Sequence, residues 1–199
     1  MVLVPLRESN FKNVCRTSAL EPSVSLLKKI CYPSAMKFTS RAAWGRRHEP
    51  IALKEYQSAI KGSHENLKTR KRGLIINLRY PHFGASPDAI VECAGCGVGC
   101  VEITCPLSLC DKSKEEMEAG SACLVLEDGD YTLDKNHEYY YQVQMQLHVS
   151  NLPYCDFVMW TPTVLWIERV SMNEAFWKEH SETATTFLYV AVLPELVLY

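Results

Sequence analysis

Two acidic residues lie on either side of a glycine-rich segment in the middle of the chain. Asp88 and Glu102 are equidistant from residue 95, and Gly95, Gly97 and Gly99 lie between them. This composition is typical of a tight connection between two strands, so we expect an antiparallel hairpin in which the two residues face each other. Directly opposed β-carbons are about 4.5–5.5 Å apart. Two carboxylates at that distance repel unless a cation lies between them.

Such a pair predicts a site for a divalent cation. Mg²⁺ and Mn²⁺ prefer hard oxygen ligands, and a bound cation lowers the pKa of water and stabilises in-line attack on phosphate. Thr104 lies two residues beyond Glu102, so its side chain points to the same face of the strand and offers a hydroxyl but no charge. The alternative is that Asp88 lies in a Ser-Pro-Asp turn and Glu102 is exposed, as most charged residues are.

The elements around this hairpin predict a layered α/β protein. Helices are expected over about 41–60, with a kink or restart at Pro50, over 138–149, and over 173–193 after a cap at Asn173. Strands are expected over 74–79, 88–93, 100–105, 154–160 and 164–170. Short helical pieces are expected over 9–38, a basic loop over 68–72 and mostly irregular chain over 107–136. This order predicts a mixed central sheet flanked by helices.

Charge is distributed unevenly along the 199 residues, although the net charge is −2. Residues 1–80 contain 16 Lys and Arg but 5 Asp and Glu, whereas residues 81–199 contain 5 and 18. This asymmetry indicates either a basic surface for a polyanion beside an acidic site, or solvated surface charge of both signs. The candidates for contacts with DNA phosphates are Arg46, Arg47, Lys68, Arg70, Lys71 and Arg72.

The nine cysteines and the absence of a secretory signal predict an intracellular protein with mostly reduced thiols, compatible with the nucleus. Arg7 and Glu8 interrupt the short apolar start, and no stretch approaches the length of a transmembrane helix, so no membrane partner is expected. No phosphate-binding Gly-Lys-Ser/Thr loop is present, so binding of a nucleotide triphosphate is not expected.

Cys93 and Cys96 form a C-x₂-C pair, which leaves a structural zinc site open. A zinc site usually needs two such pairs, or one pair with histidines. Cys100 and Cys105 follow at irregular spacing, and the alternative is a hairpin tip that carries reduced thiols.

Several motifs, in order along the chain, resemble one known family. They are Trp44-Gly45-Arg46-Arg47-His48-Glu49, Ser86-Pro87-Asp88, Val101-Glu102-Ile103-Thr104-Cys105-Pro106 and Gln142-Val143-Gln144, followed by Pro153 to Pro162 and Ile167-Glu168-Arg169. Together they resemble the YqaJ-like viral recombinase domain, which belongs with the phage lambda-type exonucleases among the PD-(D/E)xK nucleases. The resemblance implies a restriction-endonuclease-like core with a nuclease domain over 38–199. Residues 1–37 would form an N-terminal helical segment, for which truncation is an open alternative.

The resemblance also implies a role for each matching residue. Asp88 and Glu102 are expected to ligate the metal, with the Ile103 carbonyl as a further oxygen ligand. Glu49 is expected to bind metal-bound water or a second metal. Gln142 is expected to orient substrate or water.

Two positions depart from the family pattern. Thr104 stands where relatives have a lysine that assists the nucleophile or the scissile phosphate, and only Lys112 and Lys114 follow closely in sequence as substitutes. Ser9 matches a serine that relatives bring to the 5′-phosphate, but the accompanying arginine has no clear counterpart, Arg7 being the nearest.

Three hypotheses follow. The first is a deoxyribonuclease dependent on Mg²⁺ or Mn²⁺, most simply an exonuclease on double-stranded DNA ends in recombination or mobile-element processing. The second is a catalytically degenerate copy that binds DNA or a partner without cleavage. The third is a structural zinc module. Because lambda-type relatives form rings around DNA, a homo-oligomer also stays open.

Overall fold

A five-stranded sheet organises the computed structural model, which describes residues 5–33 and 39–198. In chain order the elements are β1 (Leu6–Arg7), α1 (Glu8–Cys15), α2 (Val24–Cys31), α3 (Ser40–Ile60), β2 (Lys68–Arg70), β3 (Ile75–Asn77), β4 (Tyr80–Ala85), β5 (Ala89–Cys93), β6 (Gly97–Thr104), α4 (Lys114–Gly120), β7 (Leu124–Glu127), β8 (Asp130–Leu133), α5 (Glu138–Ser150), β9 (Tyr154–Trp160), β10 (Leu165–Ser171), α6 (Glu174–Phe187) and α7 (Leu193–Leu198). Short 3₁₀ turns cover Lys61–Ser63 and Leu107–Leu109, and a wider π-helical segment, Leu188–Val192, joins α6 to α7.

The large sheet is mixed, as the sequence predicted. Its spatial order is β10-β9-β6-β5-β2. The central pair β6–β9 is parallel, and the other neighbours are antiparallel. A second sheet has the order β1-β4-β3, and β7 and β8 form a separate hairpin.

Helices cover both faces of the large sheet. On one face α3 places Tyr56 against a cluster that includes Val91 and Val158. On the other face α5 places Leu147 in a cluster with Phe157. Because both faces are covered, every residue of β9 is buried, which is the usual state of a central strand in such a layered protein.

The helix α5 is buried on nearly all sides. Its far side carries Tyr141 and Met145, which share a core with Phe11 of α1 and Trp177 of α6. A helix without a continuous polar face is stable only in such surroundings. At its end Asn151 adopts the left-handed conformation with φ of 53°, which stops the helix.

The predicted helices and the central strands are confirmed. α3 begins where the Thr39 hydroxyl accepts a hydrogen bond from Ala42 N at 3.2 Å, and it continues through Pro50 to Ile60. The helix predicted over 138–149 is α5. The β5–β6 hairpin and the pair β9–β10 also lie where the patterns placed them. The last helix also lies where it was expected, but its turns widen at Leu188–Val192.

Three local predictions were wrong. The strand predicted over 74–79 is in fact the shorter β3, which ends at Asn77. The chain then reverses into β4 at a turn in which Asn77 Oδ1 accepts from Arg79 N at 2.8 Å. The basic loop begins with β2, which pairs with β5. The segment 107–136 contains the β7–β8 hairpin, whose Asp128-Gly129 turn has positive φ at both residues. Asp-Gly is the usual residue pair for such a turn.

The N-terminal helices belong to the same core as the rest of the described chain. α1 packs against α5 and α6. The expected boundary at residue 37 lies outside the described residues. Within the described ranges, no helix is long and apolar enough to cross a membrane.

The position of Gly99 on β6, directly against the ring of Tyr154 on β9, can be tested by substitution. A β-carbon at this position would overlap the ring of Tyr154, whereas one at Gly95 would have no neighbour within 4 Å. We expect Gly99→Ala to lower the free energy of unfolding by about 1–3 kcal/mol, and the matched control Gly95→Ala to change it little. Urea denaturation measures both, and equal stability of the two variants would contradict this packing.

Candidate active site

The hairpin register brings Asp88 and Glu102 together. Ala89 pairs with Val101, and Cys93 pairs with Gly97, so the next pair along the ladder is Asp88 and Glu102. Asp88 Oδ2 accepts a hydrogen bond from Ile103 N at 2.7 Å. This backbone bond fixes the aspartate on the same side of the hairpin as the glutamate.

Two glutamines of α5 hold the Glu102 side chain, which is 7% exposed. Gln142 Nε2 donates to its Oε1, and Gln146 Nε2 donates to its Oε2 at 2.7 Å. The two glutamines are four residues apart and therefore lie on one face of the helix. Gln144 points away, donates to Ser171 O at 2.9 Å, and helps to hold the connection into α6.

The electrostatics of this pair are unfavourable for two negative charges. Burial, opposed by the Ile103 N–H but supported by the charge of Glu49, raises the pKa of Asp88 to about 7. Burial and then the charge of Asp88 raise the pKa of Glu102 well above its usual range. Both groups therefore favour a proton, or a metal cation, at neutral pH.

Glu8 is a member of this group that sequence reasoning missed. It is 8% exposed, and within the described part of the chain its Oε2 has no hydrogen-bond partner. Its charge raises the pKa of both Asp88 and Glu102, and burial raises its own pKa. Acidic residues are common in the first turn of a helix because the helix dipole favours them, so the sequence alone gave no reason to select Glu8. We call Glu8, Glu49, Asp88 and Glu102 the acidic cluster.

The acidic cluster fits a divalent cation. Its donor atoms are hard carboxylate oxygens, which suit Mg²⁺ and Mn²⁺. Burial is the main cause of the raised pKa values of Glu8, Asp88 and Glu102, and a bound cation would stabilise their charged forms. Asp88 and Glu102, the predicted ligands, would be the residues to hold it, and the charges of Glu49 and Glu8 act on Asp88.

A cleft of about 620 Å³ opens beside the acidic cluster. Its wall includes Glu49 and Arg46 of α3, Ile103 and Thr104 of β6, and Tyr139 of α5. The Thr104 and Tyr139 hydroxyls are 2.9 Å apart and share a hydrogen bond. The position where a cationic side chain was expected is therefore occupied by two neutral hydroxyls.

Two arginines line this cleft, and the other described residues predicted to contact DNA are exposed but do not form its wall. Arg46 lines it, and so does Arg41, which sequence reasoning did not select. Arg47 is exposed on α3 but is not one of the residues that form the wall. Arg70 and Arg72 are exposed at the end of β2 and just after it. Ser9 is exposed in the first turn of α1, next to Glu8.

Lys71 brings a positive charge to the acidic cluster. Its Nζ lies 3.4 Å from Glu49 Oε1, and its charge lowers the pKa of Asp88. Lys112 and Lys114, the sequence neighbours of the threonine, instead pair with Glu116 and Glu118 at 3.8 and 3.7 Å. Among the described residues, a lysine therefore reaches the acidic cluster from a different element than expected.

The four cysteines of the hairpin do not converge on one point. Cys93 and Cys96 lie at its tip. Cys100 is fully buried. Cys105 lies beside the acidic cluster, where burial and the charges of Glu49 and Asp88 raise its pKa to about 12. A four-cysteine zinc site is therefore excluded by the arrangement of these described residues.

The family model of the YqaJ-like viral recombinase domain matches residues 8–153, so the chain belongs to this family. Its fold is similar to that of an alkaline exonuclease, LHK-Exo, from Laribacter hongkongensis. The TM-score is 0.68 with 20% identity, over 98% of this chain and 91% of the other. The structure of LHK-Exo in complex with dAMP gives a TM-score of 0.71 with the same identity and coverage.

A phage-related exonuclease from Haemophilus somnus 129PT is also similar, with a TM-score of 0.65 and 9% identity over 100% of this chain and 98% of the other. The chain thus has the restriction-endonuclease-like fold that its motifs implied. Among curated protein sequences, none matches the chain significantly.

The buried charge of Asp88 predicts a pH-dependent stability. In the folded protein its pKa rises from 3.8 to about 7. Without divalent cations, the free energy of unfolding should therefore fall as pH rises through this window, because the folded state binds the extra proton. At about pH 8, Asp88→Asn should be more stable than the natural chain by on the order of 2 kcal/mol.

Urea denaturation at acidic and alkaline pH, with chelator or with Mg²⁺, measures this effect. Mg²⁺ should stabilise the natural chain more than Asp88→Asn. Asp128→Asn is the matched control, because Asp128 is exposed in a turn whose left-handed conformation asparagine tolerates. An identical pH dependence in the natural chain and Asp88→Asn would rule out the buried charge as its source.

Proposed function

We propose that this chain is a deoxyribonuclease dependent on Mg²⁺ or Mn²⁺ that degrades DNA from double-stranded ends. The observation that carries the proposal is the acidic cluster, with Glu8 and Glu102 buried, at the edge of a cleft that arginines line. Membership of a viral recombinase family supports DNA as the partner. Recombination or mobile-element DNA processing is the setting that this family suggests.

In this proposal Asp88 and Glu102 hold the cation, with the Ile103 carbonyl as a further oxygen ligand. When bound, the cation supplies an acidified water and stabilises the negative charge that develops on the phosphate. The protein positions its own groups in advance: Ile103 N–H orients Asp88, and Gln142 and Gln146 orient Glu102. Such fixed donors cost no reorganisation during the reaction.

Positively charged side chains bind the DNA backbone in this proposal. Arg46 lines the cleft, and Arg70 and Arg72 extend the basic surface at the end of β2. Contacts of this kind give affinity that depends on salt and not on base sequence. Ser9 and Arg47 are proposed as outer contacts, since both are exposed.

Lys71 takes over the charge that Thr104 lacks. It pairs with Glu49 and acts on Asp88 from the loop after β2. Because the side chain is well exposed, it can leave Glu49 for a phosphate at small energetic cost. We therefore expect residual cleavage by the natural chain.

The second candidate function is DNA or partner binding without cleavage. The hydrogen bond between Thr104 and Tyr139 favours it, because this bond fills the expected lysine position with neutral groups. Loss of one positioned electrostatic group costs about 10²–10³ in rate. If the loss is complete, the protein is an inactive copy whose fold and DNA-binding surface are intact.

The deciding experiment is release of nucleotides from linear duplex DNA with Mg²⁺ or Mn²⁺. The natural chain should release nucleotides, Asp88→Asn should lower the rate by at least about 10²-fold, and Thr104→Lys should raise it. The matched control Asp128→Asn should keep the natural rate, because that residue is remote from the cleft and exposed.

The outcomes separate the two functions. A silent natural chain together with an active Thr104→Lys variant would establish the degenerate copy. Silence of every variant would remove support for the assignment of the acidic cluster as a nuclease site. Closed circular DNA of the same sequence should resist the enzyme if ends are required.

The role of Lys71 is tested with Lys71→Met in the same assay. We expect a loss of about 10-fold or more in the natural background and little loss in the Thr104→Lys background, where a second lysine supplies the charge. Lys178→Met, at an exposed position on α6, is the matched control. Equal losses in both backgrounds would indicate that Lys71 binds DNA and does not replace the missing lysine.

A further inference from the structure

A second group of possible metal ligands lies at the tip of the β5–β6 hairpin, formed by His64, Cys93 and Cys96. Their ligand atoms all lie within 4.8 Å of one another. His64 Nδ1 is 3.3 Å from Cys93 Sγ and 3.5 Å from Cys96 Sγ. In a tetrahedral zinc site, the known Zn–S and Zn–N bond lengths place sulfur and nitrogen roughly 3.5 Å apart. Both nitrogen–sulfur distances therefore match a zinc site, and the two sulfur atoms lie within 4.8 Å of each other.

We propose that these three side chains bind a structural zinc ion, with water as the fourth ligand. One imidazole and two thiolates form a donor set that suits zinc and not Mg²⁺. This inference is independent of the proposed nuclease function, because neither the acidic cluster nor DNA enters it.

The backbone of the hairpin tip holds the thiols of Cys93 and Cys96 near each other. Cys93 ends β5 and Cys96 immediately precedes β6. Cys96 N–H donates to Cys93 Sγ at 3.1 Å, and Gly97, with φ of 72°, turns the chain back into the strand. The two cysteine side chains are therefore held close together at the turn.

The histidine comes from a different part of the chain. His64 follows the 3₁₀ turn at the end of α3, 29 residues before Cys93. A backbone hydrogen bond from Ala94 N to Glu65 O, 2.9 Å long, holds this segment against the hairpin tip. A zinc ion here would therefore cross-link the end of α3 to the central hairpin.

The site is separate from the acidic cluster. Cys93 and Asp88 lie at opposite ends of β5, which places them roughly 16 Å apart along the strand. The two ends of one hairpin would then carry a soft-ligand structural ion and a hard-ligand catalytic ion. A zinc ion at the tip would hold the hairpin register that places Asp88 opposite Glu102.

Metal analysis of the full-length protein, purified with zinc and without chelators, tests the proposal. We expect about one zinc ion per chain in the natural protein, and near-complete loss in Cys96→Ser. His64→Gln should weaken zinc binding by about 10-fold or more, because it removes one of three protein ligands. The matched controls are Cys110→Ser, a cysteine outside the group, and Asp88→Asn, and both should keep the zinc.

Cobalt substitution gives a spectroscopic check that does not depend on activity. Co²⁺ in the natural protein and in Asp88→Asn should show a thiolate-to-metal absorption band in the near ultraviolet, and Cys96→Ser should lose it. Absence of both zinc and this band from the natural protein would overturn the proposal. So would zinc that persists in Cys96→Ser but disappears in Asp88→Asn, or a thiol titration that shows a Cys93–Cys96 disulfide.

Discussion

Asp88 and Glu102 are like charges that the hairpin register brings together, the first partly buried and the second almost fully buried. Loss of hydration by burial is the main cause of the raised pKa of both groups, and the charges of neighbouring carboxylates add to it. The N–H of Ile103 and the amides of α5 offset part of the cost. In the proposed nuclease, a divalent cation would offset the cost that remains.

Much of this arrangement could be predicted from sequence, because it depends on local periodicity. The symmetry of Asp88 and Glu102 about residue 95 defined the register, and the family resemblance selected Gln142, which contacts Glu102. Glu8 and His64 were not predicted, because their positions depend on tertiary packing and not on local periodicity. Each reaches its neighbours only through tertiary packing, and each has an ordinary explanation where it stands in the sequence.

The position of the Lys71 charge also depends on tertiary packing and could not be predicted from local sequence. The sequence predicted it as one of several phosphate contacts and treated Thr104 as a missing cation. The structure places Lys71 next to Glu49, so a charge can return to a site from an element that sequence comparison would not align with the lost one. The charge at such a site depends on which side chains lie close together in the folded protein, whichever strand or loop carries them.

The burial of α5 has a consequence for how relatives of this protein can diverge. The helix joins the N-terminal helices to the central sheet, and its buried Gln144 and Gln146 satisfy polar groups in both directions. A descendant without activity would still need both glutamines to fold, since an unsatisfied buried partner is costly. Selection for folding alone can therefore preserve Gln146, a residue next to the acidic cluster, long after selection for chemistry has ended.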